Sequence, residues 1–181
     1  MKQLNSGFLL EQLIDDITAC KDVAQARQLL SELINFTPNL ERAIECCVIS
    51  HAGQFRKSGE PYAIHPILVA CIVAHMGGDE DMIIAALLHD VVEDTDMSIE
   101  SVREDFGEEV AKLVEGLTKI VAIREDKLAS SESNERLAAS AMTFRKMLLI
   151  SIEDVRVLVV KLCDRLHNML TLQALRPEKQ K

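Results

Sequence analysis

Apolar residues along the chain recur mostly three and four positions apart, the spacing of a helix face. Phe8, Leu9, Leu13 and Ile14, then Ala24, Leu29, Leu30 and Leu33, predict two short amphipathic helices near the N-terminus. Thr37-Pro38 sets a capping hydroxyl before a proline suited to the first helical position. A helix is therefore expected from there to about His51. Gly53 to Tyr62 reads as a polar loop. Helical spacing resumes from Pro66 to Met76, and Gly77-Gly78 ends it. Asp79 caps a helix that runs through Met82, Ile83, Ala86 and Leu87 to His89-Asp90. Glu93-Asp94-Thr95-Asp96 reads as a turn. Ser98 opens a short helix that stops at Gly107, and residues 108–123 form another. Residues 125–135, polar and Ser-rich, are expected to be a mobile loop. Helices over about 136–151 and 153–170 follow. Val155 to Leu162 is rich in β-branched residues and could pass for a strand. Leu166, Met169 and Leu172 continue it at helical spacing, which favours a buried helix. The expectation is an all-α chain of about eight to ten helices.

Composition narrows the possibilities. The 181 residues suit one domain with a single core, and 48% are hydrophobic, so the chain is not disordered. No apolar run reaches the ~18 residues of a membrane helix, and Met1 to Asn5 opens no signal peptide. A cytoplasmic protein that does not engage a membrane is expected. Aromatic residues are 3%, with no Trp, which again leans towards packed helices. Lys plus Arg is 20 and Asp plus Glu is 29, a net charge of −9. That argues against binding nucleic acid through its phosphates. Any anionic ligand must be held by a local cluster or a metal. Cys20, Cys46, Cys47, Cys71 and Cys163 are odd in number and lack C-x-x-C spacing. They read as small packing residues in a reducing compartment. The polar tail from Arg176 to Lys181 looks like a chain cut within a longer protein.

Chemistry gathers at a few positions. His89-Asp90 follows the apolar run Ala85-Ala86-Leu87-Leu88, where an ionisable pair needs partners. His65-Pro66 lies where a loop enters a helix, and Asp164 interrupts the apolar Val155–Met169 stretch. Two His and two Asp at helix edges make a plausible four-ligand site for Mn²⁺, Fe²⁺ or Zn²⁺. Taken singly, each has a structural explanation. A lone His is more often a hydrogen-bonded core residue, and a buried Asp often pairs with Arg, here Arg165 or Arg145.

The order His65 … His89-Asp90 … Asp164 resembles the HD superfamily of metal-dependent phosphohydrolases. The surrounding words are more specific: His-Ala-Gly-Gln-Phe-Arg-Lys-Ser-Gly-Glu-Pro-Tyr-Ala-Ile-His-Pro from His51, and Ala-Ala-Leu-Leu-His-Asp-Val-Val-Glu-Asp-Thr at 85–95. Val-Glu-Gly-Leu-Thr-Lys at 114–119, Phe-Arg-Lys-Met at 144–147 and the run Asp154 to Met169 complete the set. Together they are similar to the N-terminal hydrolase domain of the RelA/SpoT homologues, with SpoT-like bifunctional members nearest. The resemblance covers about residues 40–175. It implies an HD helical bundle around a metal site over residues 1–181, with 1–36 packed on it as a helical extension. A synthetase domain would follow C-terminally. It implies Mn²⁺-dependent removal of the 3′-pyrophosphate from ppGpp and pppGpp, giving GDP or GTP plus pyrophosphate in the bacterial stringent response.

By matching positions, the resemblance makes His65, His89, Asp90 and Asp164 the metal ligands. It makes Glu93 and Asp94 the pair that handles the nucleophilic water. Arg56, Lys57 and Ser58 line the nucleotide, and Asn168 and Thr171 hold the ribose or phosphate side. The residue chemistry agrees. Glu93 is four residues after His89, so one further helical turn would hang its carboxylate beside the metal. The plainer alternative is that Glu93-Asp94 only form a solvated turn. With a single Tyr and no Trp, purine stacking falls to a cation such as Arg56, otherwise a solvated loop charge. Asp164 and Asn168 share a helix face, and His167 beside it reads as a supporting group. Two positions depart from the family pattern. Leu170 stands where Arg is usual, and Cys163 where a small Ala is usual. The His-Asp pair is intact, so turnover is expected. Two other readings stand beside this one: an HD nucleotidase or phosphodiesterase of other specificity, and a non-catalytic nucleotide-sensing module.

Overall fold

The computed structural model describes residues 10–125 and 154–171. Among them the regular structure is helical, with one isolated antiparallel bridge, Phe55 to Pro61. The elements are α1 (Leu10–Ala19), α2 (Val23–Leu33), α3 (Pro38–Ser50), α4 (Ile64–His75), α5 (Glu80–Leu88), α6 (Val91–Asp94), α7 (Ile99–Phe106), α8 (Glu108–Glu125) and α9 (Val155–Thr171). The predicted loop beyond Glu125, the helix at 136–151, the Phe144–Met147 word, Arg145, Leu172, and Phe8 and Leu9 lie outside the described residues.

The expected caps form. Thr37 accepts the Leu40 amide at 3.1 Å, Asp79 the Met82 amide at 2.8 Å and Ser98 the Ser101 amide at 3.1 Å. Each satisfies an amide that the first helical turn leaves free. Helix α4 is the hub and packs against α2, α5 and α9. Its residues Ile64 to Ala74 are all buried, as a helix apolar on every side must be. Helix α5 is buried from Met82 to Leu88. Leu13 and Ile17 of α1 and Ala26, Leu29, Leu30 and Leu33 of α2 join the same core. On α2 the inward residue is Ala26; Ala24 is exposed.

Two glycines set close approaches. A Cβ on Gly78 would meet Val73 Cγ1 at 2.5 Å, so the chain can fold back tightly after α4. A Cβ on Gly116 would sit 2.9 Å from Val157 Cγ2, so glycine lets α8 lie against α9.

Three expectations need correction. Helix α4 begins at Ile64, ahead of Pro66, so His65 lies in its first turn. Helix α5 stops at Leu88, and His89-Asp90 make a turn before the separate helical turn α6 carries Glu93 and Asp94. His89 and Glu93 therefore do not share one continuous helix. Helix α9 is helical as expected, but its buried face is Val157, Val160, Lys161, Cys163, Asp164 and His167. Val155, Leu162, Leu166 and Met169 are exposed. The apolar period located the helix and misassigned its inward face, because the polar residues turn towards the site.

Candidate active site

Four of the residues singled out by sequence meet at the centre of the bundle. The α4 helix delivers His65, the α5–α6 turn delivers His89 and Asp90, and α9 delivers Asp164. One ligand atom each of His65, His89 and Asp90 lies within 4.8 Å of the others. Asp164 Oδ1 stands 3.2 Å from His65 Nε2 and 3.8 Å from His89 Nε2. Asp90 approaches His89 Nε2 at 3.1 Å and His65 Nε2 at 3.6 Å. All four residues are buried.

The tautomers follow from the partners. His89 Nδ1 lies 2.7 Å from the Ala86 carbonyl, which can only accept. The ring proton is therefore on Nδ1, and Nε2, which is buried without a hydrogen bond, presents a lone pair. His65 is set among His167, Arg56 and Asp164. Arg56 Nη1, always a donor, lies 3.3 Å from His167 Nδ1, so that nitrogen accepts. His65 Nδ1 lies 2.7 Å from the same atom, and on the ring's other side Nε2 faces the Asp164 Oδ1 acceptor at 3.2 Å. Burial lowers the pKa of His65, against the raising effect of its hydrogen bond to Asp164. The two imidazole Nε2 atoms thus face two carboxylates at short range. A cation between them turns that opposition into coordination, so the donor set fits a divalent metal.

The surrounding groups complete the electrostatics. Lys161, buried on α9, pairs with Asp164 Oδ2 at 2.8 Å. Arg165, the partner suggested by sequence, is exposed instead. Lys161 stands three residues before Asp164 in an apolar helix, a spacing that could have identified it. The Tyr62 hydroxyl donates to Asp90 Oδ2 at 2.7 Å and lies 3.1 Å from Asp94 Oδ2. Burial, reinforced by these two carboxylates, pushes the Tyr62 pKa far up, so it remains a donor. Tyr62 and Lys161 were given no role by sequence reasoning. Nor was His51, buried with its ring 4.8 Å from that of Tyr62.

Glu93 is half-buried, with Oε1 lacking a hydrogen-bond partner. Burial pushes its pKa up to about 8, against the lowering effect of Lys161. A metal charge nearby acts in the opposite direction and favours the carboxylate.

Arg56 is not a solvated loop charge. Its Nη2 donates to Asn168 Oδ1 at 2.8 Å, and Asn168 Nδ2 donates to Asp164 Oδ1 at 2.7 Å. Beside it lies a cavity of about 230 Å³ lined by Arg56, Ser58, Leu170 and Thr171. Ile17, Thr18 and Lys21 close it from the α1 side. Lys57 is exposed and lies outside that lining.

The HD domain family matches residues 43–181 of this sequence. The chain belongs to the HD domain family. This HD domain is 56% identical over 131 residues to a Synechocystis protein named probable guanosine-3′,5′-bis(diphosphate) 3′-pyrophosphohydrolase. That alignment covers 72% of this chain and 16% of the relative. It is 48% identical to the Escherichia coli bifunctional (p)ppGpp synthase/hydrolase SpoT, over 73% of this chain and 18% of that protein. The chain thus spans less than a fifth of the length of these two curated relatives. A solved structure of a metazoan SpoT orthologue described as hydrolysing ppGpp shares the fold, with TM-score 0.58 and 26% identity. The match covers 81% of this chain and 80% of that one. Within the HD domain, no helix among the described residues is long and apolar enough to cross a membrane.

Proposed function

We propose that this HD domain is a guanosine-3′,5′-bis(diphosphate) 3′-pyrophosphohydrolase that converts ppGpp and pppGpp to GDP and GTP plus pyrophosphate. The observation that supports it most is the facing of two imidazole Nε2 atoms and two buried carboxylates beside the Arg56 cavity. The names of the relatives supply the substrate class.

In this reading His65, His89, Asp90 and Asp164 hold a divalent cation, Mn²⁺. Such a cation supplies Lewis acidity at phosphorus and a lowered pKa for water. Glu93 accepts a proton from the attacking water, and Asp94, held by Tyr62, orients that water. The new bond forms at the phosphorus attached to the ribose 3′ oxygen. The bond between that phosphorus and the 3′ oxygen breaks, and the proton taken by Glu93 is available to the departing oxygen. Arg56 offers its guanidinium plane to guanine while its edge stays bonded to Asn168. Ser58, Thr171 and Asn168 position the ribose and phosphates, and Lys57 adds charge at the mouth. The chain is acidic overall, so attraction of a polyanion must be local, from the metal, Arg56 and Lys57.

The same reading makes residues 1–181 one HD-type unit within a longer cytoplasmic protein of the stringent response. Residues 1–36 are an N-terminal extension of that unit, and a synthetase domain lies C-terminal to it. Incubation of the purified chain with ppGpp, with and without Mn²⁺, tests the activity. The expected products are GDP and pyrophosphate, formed only with the metal. Binding without turnover would make the domain a sensor. Turnover of other phosphoesters in preference to ppGpp would make it a different HD hydrolase.

A further inference from the structure

A nucleotide with phosphates on both its 3′ and 5′ carbons needs two places for negative charge. The cluster of His65, His89, Asp90 and Asp164 serves the 3′ end. Two cations near it are already committed to that side. Lys161 pairs with Asp164 at 2.8 Å, and Arg56 bonds Asn168, which bonds Asp164 in turn. The cavity wall holds a further cation. Lys21, in the turn between α1 and α2, lines the cavity with Thr18, Ser58 and Glu60. Glu60 is the one carboxylate in that lining among the described residues, although the chain carries a net charge of −9. Lys21 Nζ reaches it at 3.4 Å across 39 residues of chain. Helices α1 and α2 both precede residues 43–181, the part matched by the HD domain family. Lys21 therefore comes to the cavity from outside the matched region.

We propose that Lys21 binds the 5′-phosphates of the nucleotide, and that Glu60 holds its ammonium at the cavity until a nucleotide enters. The turn that carries Lys21 is fixed. Leu13 and Ile17 anchor α1 in the core, the Lys21 amide donates to Gln25 Oε1 at 2.8 Å, and the Gln25 amide donates to Asp22 Oδ1 at 2.8 Å. The Lys21 side chain is free to move: it is 62% exposed, and its contact with Glu60 is long. An exposed pair of that kind contributes little, so the ammonium can leave for a stronger acceptor. A phosphate is one, because it carries more charge than a carboxylate and lysine meets it as a point charge. Ser58 also hydrogen-bonds Glu60, so the carboxylate keeps a partner when Lys21 departs. A 5′-triphosphate offers the ammonium more charge than a 5′-diphosphate, so the contact favours pppGpp. This inference rests on the function proposed above and assigns a residue to the other end of its substrate.

Titration calorimetry of the chain in Mn²⁺ with guanosine, GDP and GTP tests this without turnover. Lys21→Gln should weaken GDP about fivefold and GTP roughly tenfold, the scale of one exposed ion pair strengthened by phosphate charge. Guanosine, which has no phosphate, should bind as before. Lys21→Arg keeps the charge and should keep the affinity, and the Lys21→Gln loss should shrink as salt rises. Glu60→Gln cuts the same tie but leaves the ammonium without its competing acceptor, so it should tighten GDP. In steady-state hydrolysis Lys21→Gln should raise KM for pppGpp more than for ppGpp, with kcat little changed. Unaltered GDP affinity in Lys21→Gln would overturn the proposal, as would undetectable GDP binding by the unsubstituted chain. So would an equal loss for guanosine, or a loss from Glu60→Gln as large as that from Lys21→Gln, since either would make the contact a prop for the turn. Normal ppGpp hydrolysis with no Lys21 effect would sink this inference and leave the proposed function standing. Absent hydrolysis with the GDP and GTP losses intact would do the reverse.

Discussion

Arg156 and Lys161 lie on the same helix, and each is set against acidic groups, but their surroundings differ. Arg156 bonds Asp154 at 2.7 Å and Glu109 at 2.9 Å, with Asp79 at 3.6 Å. It links the start of α9 to the starts of α8 and α5, and Asp79 and Glu109 are more than half exposed. Lys161 meets Asp164 at 2.8 Å with both side chains at most 10% exposed, and its charge reaches Glu93. Water and salt screen the first cluster, so its several bonds contribute little to stability. The second sits where an unbalanced charge is very unfavourable, so every member depends on the others. A surface network can lose a member and relax. A buried one holds its groups in place, and that rigidity is what a metal site needs.

The largest effect should come from removing a ligand in the buried cluster. His89→Ala or Asp164→Ala is expected to bring metal stoichiometry close to zero and to abolish ppGpp turnover, read by elemental analysis and a pyrophosphate assay. Retained stoichiometry in both variants would refute the ligand assignment.

Next comes Lys161→Met, which keeps the bulk and removes the charge. It leaves Asp164 buried without its cation and should destabilise the metal-free chain by about 3–5 kcal/mol. Added Mn²⁺ should restore part of that, because a bound cation supplies the missing positive charge. Urea unfolding with and without Mn²⁺ reads both numbers. A loss no larger than that for Arg156→Ala would remove burial as the distinction between the clusters.

Glu93→Gln separates chemistry from stability within the same cluster. It keeps the shape and should leave metal binding intact while lowering turnover by roughly 10²-fold. Asp94→Asn should act in the same direction, and wild-type rates in both would reduce the pair to turn formers. The smallest effect belongs to the exposed cluster. Arg156→Ala should cost less than about 1 kcal/mol, and the loss should shrink further as salt rises. Thermal unfolding at low and moderate ionic strength decides it.

The helix starts at Thr37, Asp79 and Ser98 were legible because a cap is a local event: a side chain meets an amide within three residues. The candidate ligands were legible for a related reason, since ionisable residues in apolar runs need partners. Local patterns could not show which partners. Tyr62 reaches Asp90 across 28 residues of chain, and Arg56 reaches Asn168 across 112. Asp164 was paired in expectation with an arginine and meets Lys161 in fact. The inward face of α9 was misread because periodicity sorts residues by hydropathy, and this helix buries His167, Asp164 and Lys161 while exposing Leu162 and Met169.

The sequence by itself determined the helical class, most element limits and the four residues on which the site centres. These depend on spacing, caps and residue chemistry within short stretches. Only the tertiary structure decided the protonation pattern of the site. The His89 tautomer depends on the Ala86 carbonyl, and the setting of His65 depends on His167 and Asp164. A tautomer is chosen by whichever groups folding brings within about 3 Å of a ring, and chain position carries no record of that distance.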